Sequence, residues 1–123
     1  MLTFTMGDER RAAQRIRAYR PVQLRKTGTG PLIETLTKDL SIDGLRCISS
    51  LLFPVETELT VQLLLSTGEE PVTARGRTVW FRTLPQSEQV ELGICFTEIP
   101  QPHQRRLSAY LERLSTHADS LLA

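Results

Sequence analysis

The chain has 123 residues, of which 40% are hydrophobic and 24% charged, a composition that fits one folded soluble domain and argues against disorder except at the ends. At this length roughly two-thirds of the unfolded surface can be buried, enough for a core without staples. The formal net charge of +1 argues against a long phosphate-binding track, but residues 1–26 hold seven of the fifteen basic and two of the fourteen acidic residues, so a segment near +5 precedes a remainder near −4. Such a cluster either focuses potential on an anionic partner or is a solvated basic arm.

Residues 1–17 read as a flexible, arginine-rich arm, in which residues 10–17 could form a helical turn but lack a clear apolar face. From Ala18 the pattern changes to short runs rich in apolar and β-branched residues, at about 18–26, 31–39, 44–49, 57–65, 71–83 and 88–98. The breaks between them fall at Gly28 and Gly30, Asp43-Gly44, Pro54, Gly68 and residues 85–88. Six close-spaced strands predict an antiparallel barrel or sandwich, because closure removes exposed edges. Cys47 and Cys95 are far apart in sequence and sit in apolar runs, which favours buried free thiols, with a disulfide as the alternative.

The last segment, 100–123, predicts an amphipathic helix: Leu107, Leu111, Leu114, Ala118 and Leu121 recur at three- and four-residue steps, and Pro100 and Pro102 mark its entrance. Its apolar stripe packs across the barrel, or serves a partner or a second copy.

Two strings carry the chemistry. Residues 10–15 contain R-x-x-x-R, Arg11 and Arg15, with Arg10 directly before it; residues 39–44 contain D-x-S-x-x-G, Asp39, Ser41 and Gly44. A guanidinium donates paired hydrogen bonds to phosphate oxygens or to guanine O6 and N7, and its face stacks on a base. A carboxylate accepts from guanine N1–H and N2–H; a serine adds a small hydroxyl; a glycine permits a tight turn with no side chain in a ligand's way. Taken alone, each string is ordinary: basic segments often contain the first, and Asp and Ser before Gly make a common turn.

In this order and spacing the two strings resemble those of the PilZ family of bacterial cyclic di-GMP receptors. The resemblance extends over about residues 9–99, through Gly76-Arg77-Thr78-Val79-Trp80 and Gly93-Ile94-Cys95-Phe96. It implies a mainly β fold, a six-stranded antiparallel barrel with a C-terminal helix, with the arm (1–17) carrying the first motif, the barrel at 18–99 and the helix at 100–123. It further implies a ligand site on the barrel's outer surface over which the arm folds. Carried across residue by residue, Arg11 and Arg15 are the phosphate- and base-binding pair, and Asp39, Ser41 and Gly44 the guanine-recognition set. Arg10 matches the extra arginine of members that bind a stacked ligand dimer. Trp80 either lies against the ligand or is buried in the core; it alternates with Val79 and Phe81, so one set is expected to face outward. Asp43 receives no ligand role, and Arg17, Arg20 and Arg46 read as solvated surface charges that widen the positive field.

The expected protein is a receptor in a reducing bacterial cytoplasm, without a cofactor, that signals to an unidentified protein. Residues 1–11 lack the apolar stretch of a signal peptide, and no segment approaches the ~20 apolar residues of a membrane span. An enzyme fits poorly: His103 and His117, the candidate imidazole bases, both lie in the C-terminal segment, and no metal-ligand spacing, phosphate loop or nucleophile elbow is present. A single-strand nucleic-acid binder would need several exposed aromatics, whereas aromatics make up 6% of this chain. A protein-interaction module that has lost ligand binding would usually lack one of the two motifs.

Overall fold

The computed structural model describes residues 14–122. Arg10, Arg11 and most of the expected arm therefore lie outside the described residues, as do the side chains of His117, Ala118 and Leu121. Seven strands, β1 (Ile16–Arg17), β2 (Pro21–Lys26), β3 (Ile33–Ser41), β4 (Gly44–Ser49), β5 (Glu58–Leu63), β6 (Val72–Thr83) and β7 (Val90–Glu98), precede one helix, α1 (Gln101–Leu122). Every pairing is antiparallel, in the order β1-β3-β2-β5-β6-β7-β4, and β4 returns to β3. Six strands thus form a closed barrel, as expected, with β1 as an addition to β3.

The first expected strand, 18–26, begins only at Pro21, and a separate short strand, β1, forms within the last residues expected to belong to the flexible arm, for a visible reason. Ile16 opposes Leu40 and Arg17 opposes Asp39, but from Pro21 opposite Leu36 onward the register has slipped by one residue. The buried Thr37 fills the break: its hydroxyl accepts from the Arg20 N–H at 2.9 Å and donates to the Ala18 carbonyl at 2.5 Å. Backbone groups stranded by the slip thereby keep partners.

Strand alternation delivers the core. Leu24, Leu40, Leu45, Leu59, Leu63, Leu92 and Ile94 are fully buried, and Phe53 from the β4–β5 connection joins them. Leu107 and Leu111 of α1 are buried in the same cluster, with Tyr110 and Leu114 partly so, which places the helix stripe on the barrel. His103 fixes the start of the helix, its Nδ1 accepting from the Thr73 N–H at 3.1 Å. Cys47 and Cys95 are both free; Cys47 is buried, whereas Cys95 is half-buried rather than buried. Burial, with the negative Glu91 nearby, pushes the Cys47 thiol up to about 12. Among the described residues no helix is long and apolar enough to cross a membrane.

Two close approaches shape the wall. Gly44 opens β4 where a Cβ would lie 2.0 Å from the Ile94 carbonyl oxygen of β7. Glu91 of β7 faces outward yet has no exposed surface, because Lys38 (3.2 Å), Arg46 (3.5 Å) and Arg82 cover its carboxylate. These four residues belong to β3, β4, β6 and β7, so one carboxylate ties together four strands. Lys38 reaches it because it is the extra residue of a β-bulge, Thr37 opposing Cys47 and Asp39 opposing Arg46.

Two outcomes test this account. In Gly44→Ala the obstacle is backbone, so the variant should lose about 1–3 kcal/mol in chemical denaturation, the scale of overpacking. Burial pushes the Glu91 carboxyl up, but hydrogen bonds and charges from Arg82 and Lys38 outweigh it and hold the folded group below its ordinary 4.5. A depressed folded pKa contributes stability that is complete above the unfolded value and lost as pH falls through the folded one. Glu91→Gln should therefore cost about 1.5–3 kcal/mol at neutral pH, and the gap from wild type should close as the pH is lowered below about 4.5.

Candidate functional site

Register builds the site as a row across the barrel's outer face. Arg17 of β1 opposes Asp39 of β3, Asp39 opposes Arg46 of β4, Arg46 opposes Gly93 of β7, and Gly93 opposes Trp80 of β6. Opposed residues share a face, so five strands present this row on one side. Arg15, Arg17, Tyr19, Lys38, Asp39 and Arg46 line an open recess of about 610 Å³ along it.

Asp39 is the hub. Its Oδ1 accepts from Arg15 Nη1 at 2.8 Å, and its Oδ2 accepts from Arg46 Nε at 2.6 Å and Nη2 at 2.5 Å. The carboxylate is 5% exposed as a residue, covered by guanidinium groups on both sides. Hydrogen bonding to Asp39 comes first among the causes that raise the Arg46 guanidinium above its ordinary value; burial opposes, and the charges of Asp39 and Glu91 add. Arg46 is thus no solvated surface charge: it bridges two carboxylates. Arg20 is also engaged, its Nε donating to the Leu64 carbonyl at 3.0 Å.

The D-x-S-x-x-G string divides its labour. Ser41 is buried at the hairpin turn, where its Oγ accepts from the Asp43 N–H at 3.1 Å and lies 3.5 Å from the Gly44 carbonyl. Gly44 makes room for the β7 backbone, so the obstacle its missing side chain avoids in this state is protein, not ligand. Both residues hold the turn that sets Asp39 opposite Arg46. Asp43 contributes through its backbone, its carbonyl accepting from Phe96 N–H at 2.8 Å.

Trp80 belongs to the exterior. A Cβ on Gly93 would fall 2.2 Å from the indole Nε1, so the ring lies directly over that glycine, one strand from Arg46. Val79 is a bulge residue, Thr78 opposing Ile94 and Trp80 opposing Gly93, so the strand reverses its facing there and Trp80 turns outward, while Phe81 opposes Leu92 on the other face. Both are nonetheless exposed, at 37% and 40%.

The structure therefore brings Arg15, Asp39 and the turn residues Ser41 and Gly44 together, with Trp80 at the far end of the row; Arg10 and Arg11 lie outside the described residues. Sequence reasoning did not assign Tyr19, Lys38 or Glu91 a place. The Asp39–Arg46 pairing had a signal, since a two-residue loop at 42–43 sets it by register. The Lys38 bulge had none.

A family model described as "PilZ domain" matches residues 9–113. No curated protein compared with the chain matches it significantly. Among solved structures, the Bacillus subtilis inhibitor of motility, MotI (DgrA), is similar with a TM-score of 0.73 at 22% identity, over 88% of this chain and 52% of that one. The PilZ domain of YcgR from Escherichia coli, solved with c-di-GMP, gives 0.68 at 15% identity over 92% and 97%. PlzA of Borreliella burgdorferi, in complex with c-di-GMP, gives 0.62 at 20% over 89% and 44%. The chain spans about half the length of the Bacillus and Borreliella chains and nearly all of the YcgR domain. At such identities these structures show a shared fold, and the family model, matching most of the sequence, shows more: the chain belongs to the PilZ domain family.

Proposed function

We propose that the chain is a bacterial receptor for cyclic di-GMP that works in the cytoplasm by binding and not by catalysis. The observation that carries this reading is the meeting of Arg15 and Asp39 in a recess lined also by Arg17, Lys38, Arg46 and Tyr19. Arg15 and Arg17 suit the phosphodiesters within a field that Lys38 and Arg46 keep positive, one carboxylate suits the N–H edge of guanine, and an exposed tyrosine offers a stacking face. The neighbours solved with c-di-GMP, YcgR and PlzA, support the choice of ligand. Ser41 and Gly44 act through the turn, and Trp80 closes the row on the side away from Arg17.

Arg10 and Arg11 complete the proposed site from the N-terminal side. Arg11 joins Arg15 on phosphate and base; Arg10 adds a guanidinium that stacks on a further guanine and offsets the charge of an intercalated ligand pair. Residues 8–17 then order over the ligand, and a protein partner reads the surface formed by arm, barrel and ligand. In the rival reading, a protein-interaction module without a ligand, the same charges would meet an acidic partner.

Calorimetric titration separates these readings. Cyclic di-GMP should bind with two molecules per chain, falling toward one in Arg10→Ala. Arg11→Ala and Arg15→Ala should each weaken binding by roughly ten- to a hundredfold, the worth of one or more charge-assisted hydrogen bonds. Lysine at either position should be nearly as damaging, since it lacks the fork. Absence of binding by the folded wild type would favour the interaction module, and displacement of a guanine nucleotide probe by single-stranded RNA would favour a nucleic-acid binder. Amide exchange at residues 8–17 should slow when ligand is added; equal protection in both states would remove the arm from the switch.

A further inference from the structure

Arg46 makes more contacts than a wall residue needs. Its Nε and Nη2 both reach Asp39 Oδ2, at 2.6 and 2.5 Å, while its Nη1 lies 3.5 Å from Glu91 Oε2. Each carboxylate oxygen has two lone pairs, so the two Arg46 donors saturate Oδ2. Among the described residues the other oxygen, Oδ1, is engaged by Arg15, a side chain 45% exposed at the recess. Glu91 in turn is gripped from its far side by Arg82 on Oε1 and by Lys38, at 3.2 Å, on Oε2. The result is a chain of alternating charge, Asp39–Arg46–Glu91, whose inner end is fully buried and whose outer end is a single carboxylate oxygen with spare accepting capacity.

From this geometry we infer that Arg46, anchored by Glu91, is the positioning residue that orients Asp39 for reading guanine, leaving Oδ1 as the oxygen that accepts from the base edge. The inference rests on the reading of the recess as a cyclic di-GMP site. A carboxylate held by one exposed arginine could rotate about its side-chain torsions and present either oxygen. Locked at Oδ2 by two donors from a guanidinium that is itself tethered, it presents one. When the ligand's phosphate draws Arg15 away, Oδ1 is released while the carboxylate keeps its orientation and its neutralising partner. Arg46 needs no contact with the ligand for this role.

A double-mutant cycle tests it. Cyclic di-GMP affinity is measured by calorimetry for wild type, Arg46→Gln, Asp39→Ala and the pair. Arg46→Gln should weaken binding about tenfold in the wild-type background and less than about twofold where Asp39 is already absent, because its effect passes through that carboxylate. Glu91→Gln should act in the same direction and more weakly. Arg46→Lys supplies a folded alternative should the glutamine variant not fold; lacking the fork, it too should lose several-fold only when Asp39 is present. An equal loss in both backgrounds would make Arg46 a direct ligand contact or a part of the wall and overturn the inference, as would no loss in either. A wild type that binds no cyclic di-GMP would overturn the reading beneath it, an outcome visible in the first titration.

Discussion

Closure of the sheet is the constraint on which the site depends. A strand sequence with a carboxylate on its outer face would normally leave that group in water, but β3 must pair along both edges, with β1 and β2 on one side and β4 on the other. Asp39 therefore finds Arg17 opposite it on one flank and Arg46 on the other, and the barrel's completion is what assembles the recess. Both departures from regular pairing in β3 sit here: the slip between β1 and β2, filled by Thr37, and the bulge at Lys38. Bulges re-aim side chains, and this one sends Lys38 to Glu91 while Asp39 turns to Arg46. The irregularity belongs to the site's construction.

The sequence made the architecture legible because its signals were local and consistent. Six apolar runs separated by turn residues, and a three-to-four repeat after Pro100, are patterns that burial reproduces: Leu107 and Leu111 of that repeat are in the core. Asp39 and Arg15 were legible as a pair only through the company of two motifs, since neither string alone separates a site from a turn. What stayed hidden has one physical origin. A bulge costs one residue of register and leaves no compositional mark, so the outward turn of Trp80 after Val79, the reach of Lys38, and with it the concealment of Glu91 could not be read from alternation. Gly44 shows the converse: its place in the motif was visible, but the close approach that demands glycine comes from β7, some fifty residues away in the chain.

The ion pairs around Asp39 differ in how readily they can be exchanged. Arg15 contributes one bond and is half exposed. Its guanidinium stands half in solvent although Asp39 is covered, so screening and side-chain entropy discount the pair. A competing anion would have only that one bond to replace. Arg46 makes two bonds to Asp39 and approaches Glu91 besides, and freeing it would leave Glu91 short of a partner in a place without water. Breaking such a covered pair is the expensive direction, because the charge left behind is uncompensated. Asp39 therefore stands in the recess between a lightly held guanidinium, Arg15, and a heavily held one, Arg46.

That division bears on how binding could be communicated. If every charge in the recess rearranged with the ligand, the barrel's outer face would have to absorb the change, and the Glu91 clamp across β3, β4, β6 and β7 opposes it. The side where Arg15 enters the sheet is held by less, through the two-residue β1, the shortest pairing among the described residues. A two-residue ladder is stabilised by few bonds, so β1 is the strand least able to resist a pull on Arg15. Were a ligand to take Arg15 from Asp39, a firmly held wall beside a weakly paired entry strand would confine the response to one side, and a differential interaction of that kind is what any ligand must supply to shift a conformational equilibrium.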